Sequence, residues 1–61
     1  MEYMLILVYA RFGIDVFGPY TESINDAKIV CIIDSRDEQP EAVYRLTVAN
    51  GVKSVIEYKE T

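Results

Sequence analysis

Residues 43–58, Val-Tyr-Arg-Leu-Thr-Val-Ala-Asn-Gly-Val-Lys-Ser-Val-Ile-Glu-Tyr, restrict the fold more than any other stretch of this chain. Two β-rich runs flank Asn50-Gly51, the composition of a β-hairpin. Two registers compete. A two-residue Asn50-Gly51 turn would set Leu46 against Val55, Val48 against Lys53 and Tyr44 against Glu57, mixing charge into both surfaces. A three-residue Ala49-Asn50-Gly51 loop, with Gly51 at positive φ in a G1 bulge, would pair Val48 with Val52, Leu46 with Ser54 and Tyr44 with Ile56. One surface would then hold Tyr44, Leu46, Val48, Val52, Ile56 and Tyr58, interrupted by Ser54. The other would hold Arg45, Thr47, Lys53 and Glu57. A one-residue slip carries a strand's whole apolar set to the opposite face, so the cleaner sorting favours the three-residue loop.

The N-terminal third reads as a second hairpin. Tyr3–Ala10 is β-rich and apolar at both parities, as expected of a strand inside a sheet. Arg11-Phe12-Gly13 reads as its loop, which pairs Ala10 with Ile14, Val8 with Val16 and Leu7 with Phe17. Met4, Ile6, Val8, Ala10, Ile14 and Val16 then form an aliphatic surface. Tyr3, Leu5, Leu7, Tyr9 and Phe17 form an aromatic one, with Asp15 as the main polar interruption. Gly18-Pro19 ends the strand, because proline cannot donate to a ladder.

Thr21-Glu22-Ser23-Ile24-Asn25-Asp26 carries a helix-start signal, with Thr21 or Ser23 as cap and acidic residues suited to the positive helix end. The expected helix spans about Glu22 to Ser35, with Ile24, Ala27, Val30 and Cys31 on its inner face. Ile29-Val30-Cys31-Ile32-Ile33 is also the composition of a buried strand. The start signal and the room for four turns favour helix. Asp37-Glu38-Gln39-Pro40 ends it, and Arg36 suits its negative end.

The order β-β-α-β-β gives an α+β domain covering 1–61: a four-stranded antiparallel sheet with one helix packed on one face. Met4, Ile6 and Val8 with Leu46, Val48 and Ile56 are the expected seat for the helix. Tyr3, Leu5, Leu7, Tyr9 and Phe17 are then left on the far side, and they are the candidate partner-binding residues. One helix cannot cover both surfaces, and an uncovered apolar surface marks an interaction site.

Size points the same way. A 61-residue chain buries only about 60% of its unfolded surface, and a core of this size contributes roughly 3–5 kcal/mol of net stability. Cys31 is the only cysteine and there is no histidine, so neither an internal disulfide nor a zinc site can supplement that core. Self-association as a homodimer or higher oligomer remains. The net charge of −4, with six scattered basic residues, opposes nucleic-acid binding. Single-strand stacking on the aromatic face is the weaker alternative. Met4–Ala10 and Ile29–Ile33 are too short to span a membrane, and Met1-Glu2 lacks a basic leader start. With a lone cysteine, a cytoplasmic location is expected.

No catalytic set emerges. Histidine, the commonest general base, is missing, and Cys31 sits among isoleucines, where a buried structural role is expected. Asp34, Asp37, Glu38 and Glu41 match no calcium-loop spacing. No metal, cofactor or enzymatic activity is expected.

The segment Ile14-Asp15-Val16-Phe17-Gly18-Pro19-Tyr20, followed by Thr21 and Ala27, resembles a pattern of small bacteriophage and mobile-element proteins. In these a strand ends in Gly-Pro-aromatic before a capped helix. The resemblance covers about 20 residues and implies a non-enzymatic accessory that binds and inhibits a host protein. Two functions are therefore expected: a stoichiometric protein-binding inhibitor or adaptor, or a self-assembling structural protein whose main partner is itself.

Overall fold

The computed structural model describes residues 1–59, which form β1 (Glu2–Tyr9), β2 (Gly13–Tyr20), α1 (Asp26–Asp34), β3 (Ala42–Ala49) and β4 (Val52–Glu57). The α+β order β-β-α-β-β is as expected from the sequence. All pairs are antiparallel and the strand order is β2-β1-β3-β4, so β1 lies inside the sheet. Its uninterrupted apolar run suits that position.

Both hairpins depart from the expected register, with different consequences. In the first, Tyr9 pairs with Gly13, Val8 with Ile14, Ile6 with Val16 and Leu5 with Phe17. The loop is therefore Ala10-Arg11-Phe12, and Gly13 at φ 85° closes it. The pairing has moved by two positions, which preserves side-chain parity, so the expected sorting of residues between faces survives. In the second hairpin Ala49 pairs with Val52, Leu46 with Val55 and Tyr44 with Glu57. Asn50 (φ 53°) and Gly51 (φ 78°) form the two-residue turn, both in the left-handed region required by a type I′ turn. This is the register that sorting disfavoured. Its shift is odd, so the whole of β4 is turned over. The sorting criterion failed because it assumes one wet and one dry face, whereas every residue of β4 is exposed.

The helix is shorter than expected. Neither Thr21 nor Ser23 caps it; β2 runs on through Gly18-Pro19 to Tyr20 and uses up part of the expected first turn. Asn25 is the cap: its Oδ1 accepts from the Lys28 N–H at 2.9 Å and its carbonyl accepts from the Ile29 N–H at 3.1 Å. Asp26 sits in the first turn, where the helix dipole favours it. Ile29-Val30-Cys31-Ile32-Ile33 is helical, in agreement with the preferred expectation.

The helix covers the other face of the sheet from the one expected. Leu5, Leu7, Tyr9, Ile24, Ile29 and Val43 are buried, with Tyr3, Phe17, Tyr20, Ile32, Ile33 and Tyr58 packed around them. The helical inner stripe is thus Ile29, Ile32 and Ile33, not Ala27, Val30 and Cys31. Cys31 is exposed, contrary to the buried role expected for it. Two basic side chains bind the rim: Lys28 Nζ lies 3.7 Å from the Tyr20 ring centroid, and the Arg36 guanidinium lies 4.6 Å from that of Phe17.

Between those two rings the β2 ladder carries a bulge, with Gly18-Pro19 facing Met4 between the Tyr3–Tyr20 and Leu5–Phe17 pairs. Gly18 has φ 118°, and a Cβ there would lie 2.9 Å from the Tyr3 carbonyl oxygen. Only glycine fits.

Candidate protein-docking surface

The face that the helix leaves uncovered is built from alternate residues of all four strands. Reading across the ladder, Ile14, Val8 and Ala42 form one row, and Val16, Ile6, Tyr44 and Glu57 the next. Met4, Leu46 and Val55 form a third row, and Glu2, Val48 and Lys53 a fourth. The strand period of two puts these residues on one side because their neighbours on β1, Leu5 and Leu7, are the ones seated under α1.

Charge is confined to the margin. Lys53 and Glu57 lie on the edge strand β4, Glu2 lies at the start of β1, and the ten remaining positions just named are apolar or tyrosine. Ile14 is 63% exposed, and Val16 and Val55 are 58% exposed, well beyond what side chains of this type show in a finished core. Met4, Ile6, Val8, Tyr44, Leu46 and Val48 are half-buried. A contiguous apolar patch rimmed by polar groups is the usual mark of a polypeptide-binding surface.

The residues expected from the sequence to bind a partner are elsewhere. Leu5 and Leu7 have no exposed surface, and Tyr9 retains 8%. Tyr3 and Phe17 are half-buried at the margin of the same core. The structure does bring all five together, but under α1. The surface that replaces them, Met4, Ile6, Val8, Ile14 and Val16, was recognisable as one aliphatic set and was assigned to the helix instead. The missed signal is chemical. A helix bearing Lys28, with Arg36 just beyond it, can lay cations on aromatic rings, and the rings belong to the Tyr3/Tyr9/Phe17/Tyr20 side.

Three depressions lie at the ends and margin of the sheet. One of about 490 Å³ is lined by Tyr9, Phe12, Asp15, Arg36, Asp37 and Glu38. Tyr9 Oη and Arg36 Nε are both shut off from solvent without a hydrogen-bond partner, a condition that costs about 1–3 kcal/mol per group. Three carboxylates around one guanidinium form no nucleophile–base pair. A second depression, about 270 Å³, lies beside Ser23, Ile24 and Ile56, near the Arg45–Asp26 ion pair at 3.6 Å. The third, about 230 Å³, involves Ile33, Pro40 and Tyr58. Among the described residues, no cluster of three or more Asp, Glu or Cys side chains is placed to hold a metal ion, and no helix is long and apolar enough to cross a membrane. No protein-family model, no curated protein and no solved structure matches this chain, which leaves the uncovered sheet face as the feature from which its function is inferred.

Proposed function

We propose that this protein is a non-catalytic binding module that works by docking another polypeptide on its uncovered sheet face. The observation carrying this is the apolar field from Ile14 and Val16 across Ile6 and Leu46 to Val55, with charge only at its margin. Burying such side chains returns about 25 cal/mol per Å² of apolar surface removed from water. The small domain gains both affinity and stability from the same event. Stoichiometric binding of this kind is what an inhibitor or adaptor does, and the Gly-Pro-aromatic resemblance adds a host protein as the target.

The test is a titration of folded monomer, at a dilution where sedimentation shows one chain, with an anilinonaphthalene dye. Fluorescence should rise for the wild type and stay flat for the Val16→Lys/Val55→Lys variant, with both showing the same circular dichroism. Equal dye binding by the two proteins would overturn the proposal.

A further inference from the structure

The β4 edge of the sheet is a second unfinished boundary, and we infer that two copies of the chain join there as an antiparallel β4–β4 pair, with one sheet running through both. This uses the rim of the sheet and leaves the open face free, so it stands or falls separately from the docking proposal. Backbone parity is the first argument. Just past β4, the Tyr58 N–H donates to the Val43 carbonyl at 2.8 Å. Antiparallel ladders alternate bonded and non-bonded positions, so Val52, Ser54, Ile56 and Tyr58 direct their backbone groups to β3. Lys53, Val55 and Glu57 turn theirs outward, where no described residue bonds to them. The strand pairs with β3 without a register break, and Val52, Val55 and Ile56 are each more than half exposed. Edges this regular are normally bulged, covered or interrupted by proline, and β4 carries none of these devices.

Charge is the second argument, and it selects a second copy and its register. Only outward-facing positions can bond across the seam, so Lys53, Val55 and Glu57 must lie opposite one another. A two-fold axis through Val55, normal to the sheet, sets Val55 against its own counterpart and Lys53 of each copy against Glu57 of the other. These side chains share the open side of the sheet, so each opposite-charge pair meets with its Cβ atoms about 5 Å apart. Sliding the seam by two residues places Glu57 opposite Gly51, or Lys53 opposite Lys59. Sliding it by four places Lys53 on Lys53, or Glu57 on Glu57. An odd slide brings outward groups against inward ones and forms no ladder. One register alone matches both charges, and such self-complementarity is what an isologous interface requires. In the single chain Glu57 is 3.8 Å from the exposed Lys59, a contact that contributes little and is readily exchanged.

Sedimentation equilibrium and amide hydrogen exchange of the whole chain, from micromolar to millimolar, test this, with circular dichroism to verify folding. A seam of one strand pair is small, so the wild type should be monomeric when dilute and approach twice the chain mass when concentrated. Over the same range the amides of Lys53, Val55 and Glu57 should slow in exchange, because they are open in the monomer and bonded in the dimer. Val55→Pro removes an outward N–H that β3 does not use and should give a folded monomer at every concentration. Lys53→Glu should weaken the dimer roughly tenfold by setting like charges opposite each other at both ends of the seam, and adding Glu57→Lys should restore it. If Val55→Pro fails to fold, this charge exchange decides alone. A wild type that stays monomeric overturns the inference. So does a dimer whose Lys53, Val55 and Glu57 amides exchange as in the monomer, or a double variant as weak as Lys53→Glu. The dye titration of the monomer judges the docking proposal whichever of these results is found.

Discussion

Leu7 and Ile6 are neighbours on β1, similar in size and chemistry, yet one has no exposed surface and the other faces outward on the open side of the sheet. The two faces of this sheet are equally greasy in composition and differ in what covers them. On one, α1 and Ile24 close over Leu5, Leu7 and Tyr9 while cations from Lys28 and Arg36 cap the aromatic rim. On the other, none of the described residues does the same. The lesson is that apolar patterning marks where burial is wanted, and only the count of covering elements shows whether the chain supplies it.

The sharpest way to break the comparison is to truncate both neighbours. Leu7→Ala should cost about 2–5 kcal/mol, enough to unfold a domain of this size near room temperature. Ile6→Ala should cost less than half as much in the monomer, as measured by urea denaturation at high dilution. Equal costs would mean the open face is closed in solution. Next in size is Gly18→Ala, where the new Cβ meets the Tyr3 carbonyl at positive φ; a loss of about 1–3 kcal/mol is expected, against almost none for Gly51→Asn, a position with open space around it. The cap comes third. Asn25→Ala should cost about 1 kcal/mol by leaving the Lys28 N–H without its acceptor, lowering the melting temperature. The smallest effect belongs to Cys31→Ser, expected within about 0.5 kcal/mol. The same thiol should react with an aromatic disulfide reagent in the native protein as fast as in the unfolded one, because it lies on the solvent side of α1.

The strands, the helix and their order were legible because turn residues punctuate them: Gly13, Asp37–Pro40 and Asn50-Gly51 each sit where an element ends or turns, whereas Gly18-Pro19 bulges β2 without ending it. The interior place of β1 was legible from its lack of polar residues. The choice of face was not. β1 is apolar at both parities, so nothing in Tyr3–Ala10 says which side the helix takes. The second hairpin misled for a related reason. Val52 and Ile56 were expected to join Leu46 and Val48, but α1 does not reach β4, and a strand wet on both sides has no apolar set to protect. The helix start slipped from Thr21 or Ser23 to Asn25 because three capping residues compete there, and the length of β2 decided between them.

The kink at Gly18-Pro19 has a consequence for how far this protein can grow. Sideways polymerisation needs two sticky borders per molecule, one to accept a neighbour and one to offer to the next. Here the border along β2 is bent out of register and has a residue with no N–H to donate, while the border along β4 is the one left straight. A chain with a single usable border can add one neighbour along its sheet edge and no more, so strand-by-strand growth of the sheet should stop at two chains.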